Sequence, residues 1–210
     1  MGKTEAKQSF WEHNILYNQF MKILDNLCDE ISKKMEYSDL ENQLLRHGVD
    51  IFLCDGTDFL SAILISFFLH NTIQTITYII TFALLRRNAG GWHAKTPILC
   101  LVIYLIHYFL AVMFIEHVSL KPIFYVLSFG VSALYVYLNA PVQHPNQPLC
   151  DEEKERAKKA VLRLLVVYLV LALLSFIFNT VLFKILIIVT VYCAIAMILL
   201  AHQSRKLYEN

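Results

Sequence analysis

Apolar positions follow two kinds of pattern along this chain. Between residue 8 and about residue 36, Leu16, Phe20, Ile23, Leu24, Leu27, Ile31 and Met35 recur at spacings of three and four. That spacing puts them on one helix face, with Lys22, Asp25, Asp29, Lys33 and Glu36 on the other. Such a stripe serves a helix packed on a neighbour or on a second copy, and equally one lying on a membrane surface or docking a peptide there. After residue 48 the period gives way to continuous apolar runs. The segment 59–85 has 27 residues without a formal charge, about 40 Å of helix at 1.5 Å per residue, which is long for one span. Its polar cluster His70-Asn71-Thr72 divides it into two short helices forming a hairpin, or sits within one tilted span. Segments 98–115, 123–138, 164–178 and 181–201 are cleaner spans.

Polar stretches separate these runs. Residues 48–54 are apolar apart from Asp50, as at an interfacial start, and Asp55-Gly56-Thr57-Asp58 is turn chemistry, with Asp58 placed to cap the next helix. Residues 116–122 and Asn179-Thr180 read as tight turns. Residues 139–163 form a long loop with three prolines, whose charged run from Asp151 to Lys159 opens a helix with acids first and bases later. The expected architecture is all-α: a polytopic membrane bundle of about six transmembrane helices, the first two short or hairpin-like, preceded by amphipathic N-terminal helices. Residues 1–48 form the interfacial region and 49–210 the bundle, which carries the loop 86–100 and the cytoplasmic loop 139–163.

Charge sets the orientation. Lys and Arg number six before residue 59, three in 86–95, one in 116–122, five in 139–163, one in 179–184 and two after 201. Basic loops stay cytoplasmic, so both termini and the loops 86–95 and 139–163 are expected inside, and the two turns outside. An even number of crossings must then precede residue 86, which favours the hairpin over a single span. In total, 18 basic residues against 17 acidic ones give a net charge of +1, so no nucleic-acid partner is suggested. Hydrophobic residues at 57% and charged residues at 17% leave no room for a separate soluble enzyme domain.

Five cysteines, Cys28, Cys54, Cys100, Cys150 and Cys193, are an odd number without any C-x-x-C, so free thiols are expected and no disulfide framework or zinc ribbon. No cleavable signal peptide or myristoylation signal is expected at the start, where Ala6 stands in place of Ser or Thr. The sequence also lacks H-E-x-x-H, G-x-S-x-G and paired aspartates within the clear spans. Metal, serine and aspartyl hydrolase chemistries, and any cofactor, are therefore not expected.

The chemistry concentrates in 86–100, where Arg86, Arg87, Gly90, Gly91, His93, Lys95 and Cys100 stand between two apolar helices. The two glycines let the loop adopt positive φ or let another backbone approach closely. His93 and Cys100 would stand about 10 Å apart along an unbroken helix, too far for proton transfer. Pro97 suits the first helical position, with Thr96 as N-cap, so His93 belongs to the preceding loop and can fold back. Cys100 then lies on the first helical turn, where the helix dipole and neighbouring Arg86, Arg87 and Lys95 favour thiolate. Cysteine with a histidine base is the minimum for acyl transfer. The plain alternative is a buried structural Cys beside a loop that contacts headgroups. His107, His117, His144 and His202 read as packing or interface residues.

The run Ala83-Leu84-Leu85-Arg86-Arg87, then Gly90-Gly91-Trp92-His93-Ala94-Lys95-Thr96 and Cys100, resembles the signature of the accessory gene regulator B family of bacterial membrane cysteine peptidases. His47-Gly48-Val49-Asp50 and Ala140-Pro141-Val142 with Asn146-Gln147-Pro148-Leu149 extend the resemblance over roughly residues 40–165. Asn88 and Trp92 are departures that leave the mechanism intact. The resemblance implies a thiol protease of the bacterial cell membrane, active on its cytoplasmic side. It would remove the C-terminal tail of an AgrD-like precursor signal peptide and promote closure of a thiolactone or lactone autoinducing peptide for quorum sensing. His93 would be the general base and Cys100 the nucleophile, acting through an acyl-enzyme thioester.

The family pattern supplies no third group to orient His93; Asp50, Asp58 and Asn88 are candidates by polarity and depth. Arg86, Arg87 and Lys95 would hold an acidic substrate tail or anchor the loop to anionic lipid. A homodimer is suggested by the resemblance alone, since no G-x-x-x-G occurs in the spans. Competing readings are a non-enzymatic peptide exporter or membrane scaffold.

Overall fold

The computed structural model describes residues 15–91, 97–142, 150–178 and 180–208. Seven helices are seen among the described residues: α1 Ile15–Met35, α2 Asp39–Leu69, α3 Thr72–Ala89, α4 Pro97–His117, α5 Pro122–Asn139, α6 Asp151–Phe178 and α7 Thr180–Tyr208. By contacts the chain divides into two compact units, Met1–Gly56 and Thr57–Asn210.

In the first unit, α1 turns back through Glu36, whose φ is 54°, and α2 begins in a capping box. The backbone N–H and hydroxyl of Ser38 both donate to Glu41 Oε2 at 2.8 Å, so that two groups at the helix start find partners. Arg46 reaches back to Asp25 and, at 2.6 Å, to Asp29, fixing the pairing of the two helices from their polar faces. Cys28 and Ser32 are buried, whereas Leu27 and Met35 of the apolar stripe are exposed. The charged face Lys22, Asp25, Asp29, Lys33 and Glu36 is exposed as the periodicity requires.

The turn expected at Asp55–Asp58 does not form: α2 runs through it without a break. Turn-forming residues lower helix propensity by only tenths of a kcal/mol to about 1 kcal/mol each, and tertiary contacts outweigh that. Here Gly56 stands in open space and the Asp58 side chain has a partner on another helix, so nothing local compels the chain to turn.

In the second unit the segment 59–85 is two helices. The break falls at His70, which has a φ of 55°, and the Asn71 N–H is held by the Ser66 carbonyl at 3.2 Å. Four helices, α4 to α7, contain stretches long and apolar enough to cross a membrane. α3, with five Thr and Gln residues in its first ten positions, falls short of that measure although it packs in the same bundle. Large apolar side chains such as Phe68, Ile73, Val131 and Phe178 project outward along the helices, as a lipid-facing surface requires. The molecule is an all-α membrane helical bundle.

Side-chain pairs fix the helix directions. Asp58 meets Cys100 and Phe59 meets Tyr104, so the end of α2 runs parallel to α4. Thr75 meets Tyr108, Tyr78 meets His107 and Phe82 packs on Tyr104, so α3 runs antiparallel to α4. Phe114 on Tyr125 and Tyr125 on Phe183 gather the end of α4 with the starts of α5 and α7. Residues 58, 90, 100 and 142 thus share one end of the bundle, and 70, 117, 121 and 184 the other. That grouping matches the alternation of basic and non-basic loops. α7 occupies the centre, packed on α3, α4, α5 and α6. Over half of its span (56%) is buried, against 28% or less for the other three.

Candidate functional site

The basic-loop end of the bundle is assembled from the end of α3, the start of α4, the end of α5 and the middle of α2. α4 opens with Pro97, which has no N–H to leave unsatisfied, and places Cys100 on its first turn. The first N–H groups of this helix lack intrahelical acceptors, so positive potential gathers there. Cys100 is half-exposed. Its Sγ stands 3.7 Å from Oδ2 of Asp58 on α2, with the thiol as donor, and Asp58 is only 4% exposed. Close packing beyond this contact comes from the Phe59–Tyr104 ring pair at 5.9 Å and from the fully buried Ala62.

The end of α3 is closed by the residues that the sequence singled out. Arg86 Nη1 donates to the Gly90 carbonyl at 3.1 Å, and the Gly90 N–H donates to the Arg86 carbonyl at 3.0 Å, so Arg86 is bound to its own helix terminus. Gly90 adopts a φ of 76° and forms a parallel bridge with Val142, while the Val142 N–H donates to the Ala89 carbonyl at 3.0 Å. A Cβ on Gly90 would collide with the Val142 carbonyl, so only glycine fits. Gly91 is equally enclosed: a Cβ there would meet the Arg86 guanidinium and Ala196 on α7. The bridge joins the exit of α3 to the exit of α5, two loops far apart in sequence.

Of the remaining site candidates, Arg87 is exposed, and His93 and Lys95 lie outside the described residues, as does Thr96. Asn88 donates its amide to the Leu84 carbonyl at 2.8 Å and so lies along its own helix. The side chain of Asp50 is also outside the described set. Of the three candidates to orient His93, Asp58 stands against Cys100 instead, and its relation to His93 lies outside the described residues. Cys193 is fully buried in the core, Cys28 is buried and Cys150 is exposed. Among the described residues no three His, Cys, Asp or Glu side chains gather as a metal ion would need.

One polar cluster was not visible from the sequence. His107 lies within the bundle with Nε2 2.8 Å from the Tyr78 hydroxyl and its ring 4.0 Å from that of Tyr192. Nearby, Tyr108 bonds Thr75 at 2.8 Å, Thr75 donates to Asn71 at 3.2 Å, and Asn71 donates to Glu116 at 3.4 Å. The pattern Asn71, Thr75, Tyr78 facing Tyr104, His107, Tyr108 at spacings of three and four was the available signal. It runs toward the end of the bundle opposite Cys100, where Glu116 sits in the last turn of α4 rather than beyond it.

Fold and site together define a polytopic membrane protein that holds a half-exposed thiol against a buried carboxylate at a helix start. The chain belongs to the accessory gene regulator B family, whose family model matches residues 24–201. Similar proteins include accessory gene regulator protein B of Staphylococcus aureus, 25% identical over 162 residues that cover 77% of this chain and 85% of that one. A putative AgrB-like protein of Clostridium perfringens is 21% identical over 159 residues, covering 72% and 74%. One of Listeria monocytogenes is 26% identical over 137 residues, covering 64% and 67%. No solved structure matches the chain. Membership ties the protein to accessory gene regulator quorum sensing.

Proposed function

We propose that the protein is a membrane cysteine endopeptidase that trims a short precursor peptide and closes its remaining part into a thiolactone or lactone signal. The observation that supports this reading best is the placement of Cys100: a half-exposed thiol on the first turn of α4, at the basic-loop end, in a chain of this family. His93 takes the thiol proton. The Cys100 sulfur attacks the carbonyl carbon of the residue that will close the ring, the C–N bond breaks, and the proton passes to the departing amine of the tail. The precursor remains on Cys100 as a thioester. A Cys or Ser side chain of the same precursor then attacks that thioester and restores the free thiol. First-turn N–H groups of α4 suit an oxyanion in both steps.

Ring closure by a thiol exchanges one thioester for another and is close to balanced in energy, so exclusion of water decides between ring and linear product. The active end faces the cytoplasm, where the excess of Lys and Arg favours its retention, and exposed Arg87 suits anionic headgroups or an acidic tail. The test is mass spectrometry of a candidate precursor incubated with the protein in lipid vesicles. The native chain should release the tail and a product lighter by one water than the linear fragment. Cys100→Ala and His93→Ala should each yield neither, with insertion intact. Processing that persists in either variant overturns the reading, and peptide flux surviving Cys100→Ala would favour an exporter.

A further inference from the structure

The Asp58–Cys100 contact goes beyond the placement of a nucleophile. Asp58 is 4% exposed, at the end of the bundle where Cys100 is half-exposed, and its Oδ2 receives the thiol. A carboxylate placed there has two separable effects. As an acceptor it selects one orientation of Sγ, because the S–H must point at Oδ2. As a negative charge about 4 Å from sulfur in a poorly solvated site, it opposes a second negative charge on that sulfur. The helix start pulls the other way, so Asp58 and the helix act on Cys100 in opposite senses.

We infer that Asp58 is the positioning residue of Cys100, aiming its thiol and holding it protonated until a base removes the proton. This deepens the proposed peptidase reading and rests on it for its biological meaning, although its physical content concerns the resting thiol only. A restrained thiol is protected against adventitious alkylation and oxidation, since the thiolate is the reactive form in both. His93, as the proposed base, would then supply the proton acceptor that Asp58 is not.

Shape and charge can be separated. Asp58→Asn keeps the shape and an accepting oxygen but loses the charge; Asp58→Glu keeps the charge and changes the length. A merely structural role is preserved by Asn and disturbed by Glu, whereas a charge role gives the opposite order. The experiment is the rate of iodoacetamide labelling at Cys100 at neutral pH, read by mass spectrometry of the full-length protein in vesicles without any peptide. Cys193, fully buried in the core, is the internal reporter of folding in the same sample. Asp58→Asn should label Cys100 at least about tenfold faster than the native chain, with Asp58→Glu close to native and Cys193 protected throughout. Equal or slower labelling in Asp58→Asn overturns the inference, as does faster labelling in Asp58→Glu with Asp58→Asn unchanged. If Cys193 of the Asn variant becomes labelled, the Glu variant decides: a native rate supports the inference and an accelerated one overturns it. Failure of the peptidase reading would show separately, as processing that survives Cys100→Ala.

Discussion

Lys184 and Ile115 are 69 positions apart, yet the Lys184 ammonium donates to the Ile115 carbonyl at 2.8 Å. The carbonyl belongs to the last turn of α4, where the backbone has no further helical N–H to accept from, and the lysine stands on the first turns of α7. A cation on the open carbonyl end of one helix thus joins it to the central helix.

Replacing Lys184 by Met should therefore cost about 2 kcal/mol, the size of a charge-assisted hydrogen bond. Thermal unfolding in detergent checks it, with a lower midpoint for Lys184→Met and a smaller change for Lys184→Arg, which retains a donor.

Glycines give a paired prediction. Gly90→Ala forces a Cβ onto the Val142 carbonyl at a φ of 76°, a strain on the order of 1–3 kcal/mol. It should part the two loops and abolish precursor processing. Gly130, in the middle of α5 with nothing within 4 Å of its notional Cβ, should accept Ala with unchanged processing and a gain of about 0.5–1 kcal/mol. Processing and thermal midpoints measured on both variants test the contrast.

The capping box predicts a pH response. The backbone N–H of Ser38, and then its hydroxyl, hold the Glu41 carboxyl below its usual value of 4.5. A lowered value means that the cap stabilises α2 above 4.5 and that this contribution fades as pH falls below it through the folded value. Ser38→Ala should return Glu41 toward its ordinary titration, which carboxyl NMR of the labelled residue would show.

Helix directions predict which cysteine probes share a side. Single cysteines at His70 and at Lys121 should react with a membrane-impermeant reagent from one face, and a cysteine at exposed Asn139 from the other. On the proposed orientation the second face is the cytoplasmic one. Labelling of positions 70 and 139 from the same face would refute the helix pairing.

Much of this was legible in the sequence because it depends on local composition. Pro97 opens a helix, Asp151 starts one with its acids first, and the His70 cluster breaks 59–85 in two, whereas Pro122, read as the end of a turn, is the first residue of α5. What the sequence concealed depends on partners distant along the chain. Asp55-Gly56-Thr57-Asp58 has turn chemistry, yet Asp58 lies in a helix and its carboxylate faces Cys100, 42 positions away. Polarity could nominate Asp58 alongside Asp50 and Asn88, but only helix packing separates it from Asn88, which is bonded to its own helix. Gly90 was expected to take a positive φ or admit another backbone and does both; that the backbone is that of Val142, 52 positions away, no spacing rule encodes.

The central position of α7 has a bearing on how the protein is made. It follows in the chain all four helices that it packs against, so α3 to α6 enter the membrane before the surface that organises them exists. Until Thr180 and its successors are synthesised, Ala196 cannot lie beside Gly91, nor Tyr192 beside His107. Biogenesis therefore carries its own timer: the Cys100 end takes its final shape only when the last of these helices arrives.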